Sequence, residues 1–151
     1  MLVSLVMKSV TGIIVVGVSE FLTVSWLRNF ALNKLANQSS TLDYMDFKWT
    51  ADKAVDGNKD GSNPEKSRTC SATNNKNGNH TWGVDIGFQV IVKQITVYGR
   101  TDQADDQLSG FLLFIGNESN PWIYNQQIQT TSPGNFQHVF WLNSVARLIS
   151  V

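Results

Sequence analysis

The chain has 151 residues, of which 42% are apolar and 16% charged, with twelve basic and twelve acidic side chains. That is enough apolar material for one core and too little charge for a disordered chain. The formal net charge of zero gives no basic excess to argue for a nucleic-acid partner, and no apolar run reaches the roughly 18–20 residues of a membrane-spanning helix.

Residues 1–28 stand apart. They are apolar, poor in turn residues, and their charges are Lys8, Glu20 and Arg28. Two readings are open: a secretory signal peptide built on the apolar run 12–18, or an N-terminal extension. Lys8 falls inside the apolar part rather than before it. Asn-x-Ser/Thr triplets at Asn37, Asn79 and Asn117 favour a secreted glycoprotein.

The domain is expected over 29–151. Residues 29–42 read as a short edge strand and a polar segment. Residues 43–53 are irregular or one helical turn, anchored by Tyr44, Phe47 and Trp49. The run Lys53-Ala-Val-Asp-Gly-Asn-Lys-Asp60 is turn chemistry: glycine takes a positive φ, and Asx side chains bond their own backbone. Loops at 61–68 and 74–80 flank a short strand at 69–73 carrying Cys70. Period-two alternation then sets three strands, on Val84, Ile86, Phe88 and Val90, on Ile95 and Val97, and on Phe111, Leu113 and Ile115. A polar loop, 100–107, separates the second from the third. Residues 121–128 form a further strand with Trp122 and Tyr124, and 136–142 and 147–151 form two more. Seven to nine short strands with turns every 8–12 residues describe an all-β sandwich or barrel. The chain stops in a strand-like run, which would leave an open edge, so a C-terminal strand is expected to be missing.

No catalytic set is visible. His80 and His138 have no serine or cysteine arranged as a nucleophile, and there is no metalloprotease, P-loop or Cys-x-x-Cys motif. The chain does not read as an enzyme. Asp56, Asn58, Asp60 and Thr69 offer oxygens of the kind calcium gathers, although the spacing departs from the EF-hand and a plain Asx-rich turn explains them without a metal. Arg100 and Asp102 form an Arg-x-Asp pair at a strand end. A guanidinium forked onto a carboxylate can donate its remaining N–H groups to sugar hydroxyls; a local salt bridge is the alternative. Trp82 is either a sugar-stacking face or a buried strand tryptophan. Cys70, the one cysteine, is either a buried apolar residue or half of a disulfide whose partner lies outside this chain.

Taken in order, Ala54-Val-Asp-Gly-Asn58, Thr69-Cys-Ser71, Thr81-Trp-Gly-Val-Asp-Ile86, Arg100-Thr-Asp102, Leu108-Ser-Gly-Phe111 and Ile115-Gly-Asn117 resemble the F-type lectin (fucolectin) domain. This domain belongs to the clan of discoidin and coagulation-factor type C domains. The resemblance covers about residues 29–151. It implies an antiparallel β-sandwich of jelly-roll, galactose-binding-like form, a structural calcium ion, and recognition of fucose-type glycans outside the cell, with a role in innate recognition. By the same resemblance, the carbonyl of Lys53 with Asp56, Asn58 and Thr69 stands at calcium positions, with Asp60 nearby. The family's last ligand, a glutamate, and the cysteine that would pair with Cys70 both fall beyond Val151. The second family disulfide falls on Ile123 and Leu142, an apolar pair that fills similar space.

The sugar triad is altered. Arg100 and Asp102 are kept, but the second basic position falls on Gln107 and the histidine position on Ala72. The adjacent cysteines of that loop are Gln103 and Ala104. Each lost charged hydrogen bond matters by about 1.5–3 kcal/mol, so sugar binding is expected to be weakened, with His80 as the candidate substitute. The alternative is a fucose-silent module that uses its loops to dock on a protein or lipid surface, favoured by Ala72, Gln107 and the outward-phase apolar residues Leu112 and Phe114. Oligomerisation is open on sequence.

Overall fold

The computed structural model describes residues 2–10, 27–44, 46–62, 68–74, 79–101, 108, 110–117, 126–129 and 137–151. Ten strands and one 3-10 turn lie among them. Strand β1 is Leu2–Val10, β2 Leu27–Arg28 and β3 Leu35–Gln38. A small hairpin joins β4, Asp43–Tyr44, to β5, Phe47–Lys48, and the 3-10 turn follows at Ala51–Ala54. Then come β6, Ser71–Ala72, β7, Trp82–Tyr98, β8, Leu112–Gly116, β9, Gln126–Gln129, and β10, Gln137–Ser150. Every pairing is antiparallel. The main sheet runs β2-β1-β7-β10-β8-β9, with β3 added on β7 and β6 on β1. The fold is the all-β antiparallel architecture expected from the pattern of alternation, in the jelly-roll form that the resemblance implies.

Two long strands organise it. β7 and β10 pair from Tyr98↔Gln137 to Gly83↔Ser150, and Trp82 and Val151 then exchange two backbone hydrogen bonds of 2.8 Å. Inward side chains from both strands and from β8 form the core: Trp82, Val84, Ile86, Ile95, Val97, Leu113, Ile115, Ala146 and Ile149. Leu112 and Phe114, in the opposite phase on β8, are half-buried. The Trp82 indole N–H donates to the Ala51 carbonyl at 3.0 Å. This tryptophan is therefore a core residue that pins the 3-10 turn, and no sugar can stack on it.

The sequence pattern divides 81–98 into two strands and 136–151 into two more; each is continuous in the structure. Irregularities absorb the difference. Register shifts fall between Trp141 and Ser144, where β10 carries one extra residue, and between Ala146 and Leu148, where β7 carries three; such insertions bend a strand without ending it. Gly87 sits at φ 91, which glycine reaches without a Cβ penalty, and its N–H donates to Asp85 Oδ1 at 2.7 Å. Phe88 alone leaves the phase, since Val90 still packs against the core and Val92 beyond it is buried. Phe88, in step with Val84 and Ile86 on sequence, is turned outward and exposed, and meets Phe30 edge-on at 6.0 Å.

The chain's ends also enter the sheet. β1, from the stretch 1–28, pairs with β7 from Ser4↔Tyr98 to Lys8↔Gln94 and with β6 through Leu2 and Val3. The run 12–18 lies outside the described residues, as do Trp122 and Tyr124. β10 is flanked by β7 and β8, so the run 147–151 is internal to the sheet and not an open edge. Its hydrogen-bonding groups are taken on both sides.

Two side-chain ties lock the strands. Gln38 Nε2 has four acceptors within reach: Ser40 O at 2.7 Å, Trp49 O at 3.0 Å, and Thr41 Oγ1 and Ala72 O at 3.1 Å. Four oxygens around one atom fix which end of the amide is the donor. This one side chain joins β3 to the segment leaving the β4–β5 hairpin and to β6. Arg147 grips Asp85 with two hydrogen bonds of 2.9 and 2.8 Å across the β7–β10 bulge. The Arg147 bonds hold the Asp85 carboxyl below its usual range, burial opposes them, and the Gly87 N–H adds to the lowering.

Replacing Gln38 by alanine should destabilise the fold by about 1–3 kcal/mol, the range for a lost buried hydrogen-bond partner. Urea unfolding checks this, and an unchanged midpoint would show the tie to be dispensable. The Asp85–Arg147 pair is partly exposed, so its contribution is at most about 1 kcal/mol. A depressed carboxyl stabilises above the unfolded aspartate value, about 3.9, and loses that stabilisation as the pH falls through the folded value. Asp85→Asn should therefore be less stable than the parent chain at pH 7, and the difference should shrink as the pH falls through the lowered folded value of Asp85. A difference that is constant with pH would rule out the ion pair as its source.

Candidate functional site

The site grows from the turn that follows the 3-10 helix. Asp56 Oδ1 accepts the Asn58 N–H at 2.8 Å, Asn58 Oδ1 accepts the Asp60 N–H at 3.0 Å, and Asp60 Oδ1 accepts the Ser62 N–H at 2.9 Å and the Ser62 hydroxyl at 2.5 Å. Three Asx turns in succession thus coil the loop, with Gly57 at φ 89 between the first two oxygens. This is the conformation the Asp-Gly-Asn chemistry predicts. Thr69 closes the loop, its hydroxyl donating to the Asp60 carbonyl at 2.5 Å. Lys53 sits in the 3-10 turn just before the loop, with its N–H on the Thr50 carbonyl at 3.2 Å. Of the residues read as calcium positions, Asp56, Asn58, Asp60 and Thr69 are joined by this run of hydrogen bonds, and Lys53 precedes them in the 3-10 turn.

The donor set is all oxygen: two carboxylates, a side-chain amide, a hydroxyl and turn carbonyls. That suits a hard cation such as calcium and not a soft one. Among the described residues no three His, Cys, Asp or Glu side chains converge, so Asp56 and Asp60 would need neutral oxygens beside them. The Asp60 carboxyl is held below its usual range by the Ser62 hydroxyl and N–H, so it stays ionised at neutral pH.

Arg100 lies two residues past the end of β7. The next residue, Thr101, donates its N–H to the Gly61 carbonyl at 3.0 Å. That bond ties the Arg100 strand end to the Asx loop, and sequence gave no sign of it. Lys59 lies over the Tyr98 ring at 5.7 Å, adding a second contact between the loop and the end of β7. Arg100, Asp56 and Asp60 all act electrostatically on the Cys70 sulfur, which places them around one corner of the fold.

Cys70 itself is buried with Trp49 and Ala72 in a small second core. Burial pushes its thiol up, against the Thr69 hydroxyl and the Arg100 charge, so it is a protonated core residue here. Ala72, the expected histidine position, is 2% exposed. Its N–H donates to Trp49 O and its carbonyl accepts from Leu42 and Gln38. It offers no side-chain donor to a ligand. His80 is exposed in the segment before β7, whereas Arg100 follows the strand. His138 is buried edge-on to Phe111 at 5.1 Å. Asp102, Gln107, Gln103, Ala104 and Ile123 lie outside the described residues.

Comparison with known proteins bears on this arrangement. The family model described as the NedA-like, galactose-binding domain matches residues 53–150. Among solved structures, the chain is similar to the fucose binding module SpX-3 of Streptococcus pneumoniae, at 26% identity and a TM-score of 0.71, over 82% of this chain and 85% of that one. It is similar at 28% identity to the lectin domain of Lectinolysin complexed with Lewis B antigen, with a TM-score of 0.70 over 82% and 83% of the two chains. A fucolectin from the serum of Morone saxatilis, the striped bass, is 25% identical with a TM-score of 0.65, over 80% of this chain and 41% of that one. A search of curated proteins finds no match. The Asx loop, Arg100 and all of β7, β8 and β10 fall within the matched residues, and the chain belongs to the NedA-like, galactose-binding domain family.

Proposed function

We propose that the chain is a carbohydrate-binding, lectin-like module that takes a fucose-type sugar at the Arg100 loop. The observation that carries this reading is the Thr101–Gly61 hydrogen bond. It sets Arg100 on a rigid strand end beside a pre-coiled oxygen loop, in a chain similar to fucose-binding modules and a fucolectin. The guanidinium presents planar donors to ring hydroxyls, with Asp102 and Gln107 as polar neighbours in sequence. The role is binding rather than catalysis, in keeping with the binding modules and lectins it resembles. Calcium, when bound on the loop, would supply positive charge that draws the carboxylates and carbonyls of 53–69 together. Asp56, Asn58, Asp60 and Thr69 are the side chains to hold it. The three Asn-x-Ser/Thr triplets and the similarity to a serum fucolectin support an extracellular setting, and innate recognition belongs to the same proposal. No helix among the described residues is long and apolar enough to cross a membrane.

A second reading is favoured by the burial of Ala72 and by an apolar stripe on the outer side of β7 and β10. Trp141, at 77% exposure, Val145 and its partner Ile91 form that stripe. It replaces the patch expected at Leu112 and Phe114. In this reading the module is fucose-silent and docks on a protein or lipid surface.

Calorimetric titration of the full chain with L-fucose separates the two. Binding should appear at millimolar sugar and weaken at least about tenfold in Arg100→Ala, the effect of one lost charged hydrogen bond. Unchanged binding in that variant would sink the Arg100 assignment, and no heat from a folded chain would favour the silent module. Calcium should raise the melting temperature by mass action, and Asp60→Ala should abolish the rise. A melting temperature indifferent to calcium and chelator would count against the loop as a metal site.

A further inference from the structure

We infer that Asn37 is an N-glycosylation site whose first sugar seats in a groove on the outer face of the sheet. Asn37, Gln38 and Ser39 form an Asn-x-Ser triplet, the acceptor sequence for N-linked glycans. Asn37 lies on β3, which pairs with β7 only among the described residues, so it stands on an edge strand. Its side chain is exposed and points to the outer face, because Gln38 beside it points inward to Trp49 O and Ala72 O.

Across the register Asn37 faces Gly83, and Gly83 faces Ser150, which in turn faces Phe114. A Cβ on Gly83 would come within 3.4 Å of Asn37 Oδ1 and 3.3 Å of Ser150 Cβ. Its absence leaves a groove of about 280 Å³ whose lining includes Asn37, Ser39, Thr81, Asp85, Leu148 and Ser150. Hydroxyl, amide and carboxylate groups beside the aliphatic Val84, Leu148 and Ile149 match a sugar that carries hydroxyls and an acetamido methyl. Leu35, two residues before Asn37 on the same face, is 78% exposed and supplies an apolar surface that a tethered sugar would cover. The occupant is N-acetylglucosamine joined to Asn37 itself.

The other two triplets differ. Asn79 is exposed in the segment before β7. Asn117 is half-buried just past the end of β8, and its Oδ1 is buried without a hydrogen-bond partner among the described residues, so the fold encloses part of the amide a glycan would need. In the transfer, the Asn37 amide nitrogen bonds to the anomeric carbon of a lipid-pyrophosphate-linked oligosaccharide. The bond from that carbon to the pyrophosphate oxygen breaks, the lipid pyrophosphate leaves with the electron pair, and the amide proton passes to base. The glycan would also mask the open edge of β3, where unpaired backbone groups otherwise invite strand addition.

The inference rests on the extracellular setting proposed above, and the test separates the two. The full chain is expressed in a glycosylating eukaryotic host and recovered from medium and cells. Its intact mass is measured with and without peptide-N-glycosidase, for the parent chain and for Asn37→Gln. A glycan mass lost in Asn37→Gln is the expected result. Enzymatic removal should then lower the melting temperature of the parent chain, and by less in Leu35→Gln, which keeps the triplet but removes the apolar surface. Chain in the medium without sugar on Asn37 overturns the site while leaving secretion intact. Chain retained in the cells with no sugar on any triplet overturns both. A glycan on Asn37 whose removal moves neither melting temperature overturns the seating in the groove.

Discussion

The antiparallel pairing of β7 with β10 is the constraint on which the rest depends. It brings together core side chains from both ends of the domain, among them Ile86, Ile95, Val97, Ala146 and Ile149. It sets Arg147 opposite Asp85. It also fixes where β7 ends, and Arg100 begins the next loop from that point. The register shifts in the ladder let two strands of 17 and 14 residues bend around one core, so neither has to stop and restart. A sheet this strongly curled needs such irregularities, because regular pleating alone gives gentle twist.

Much of this was legible in the sequence, because burying one face of a strand imposes a period of two. Val84, Ile86, Ile95, Val97, Phe111, Leu113 and Ile115 are all buried as that period predicts. The pattern failed at Phe88, which is turned outward although Ile86 before it and Val92 beyond it, in the same phase, are buried. Nothing about Phe88 distinguishes it from Ile86 except the glycine between them. A lone glycine in a strand marks a possible bulge, but only the observed φ tells whether the phase is kept. The continuity of β7 and β10 was hidden for a related reason. Polar residues such as Lys93, Gln94 and Asn143 interrupt the alternation, yet their backbones still pair or pass through bulges.

The site was legible in part. The Asx loop could be read directly, since Asp, Asn and Gly at alternate positions form turns through local hydrogen bonds alone. The link from that loop to Arg100 could not be read, because it joins two backbone groups, Thr101 N–H and Gly61 O, that carry no side-chain signature. The tie made by Gln38 is hidden for a similar reason. A glutamine in an edge strand looks like surface, and only the folded chain shows four oxygens around its amide. Ala72 was reached through family resemblance. Its burial in the Cys70 and Trp49 cluster gives that substitution a physical sense, since a methyl packs there without leaving a polar group unpaired.

The enclosure of Cys70 has a consequence for redox chemistry. A thiol attacks disulfides as its thiolate, and one that is buried and held protonated is a poor nucleophile. The chain can therefore meet an oxidising environment without cross-linking through sulfur, although its cysteine has no partner within it. The protection lasts only while β6 and the segment around Trp49 stay in place. The rate at which Cys70 reacts with an external disulfide then reports how often that corner, which also carries Thr69 and the neighbouring Arg100 charge, opens to solvent.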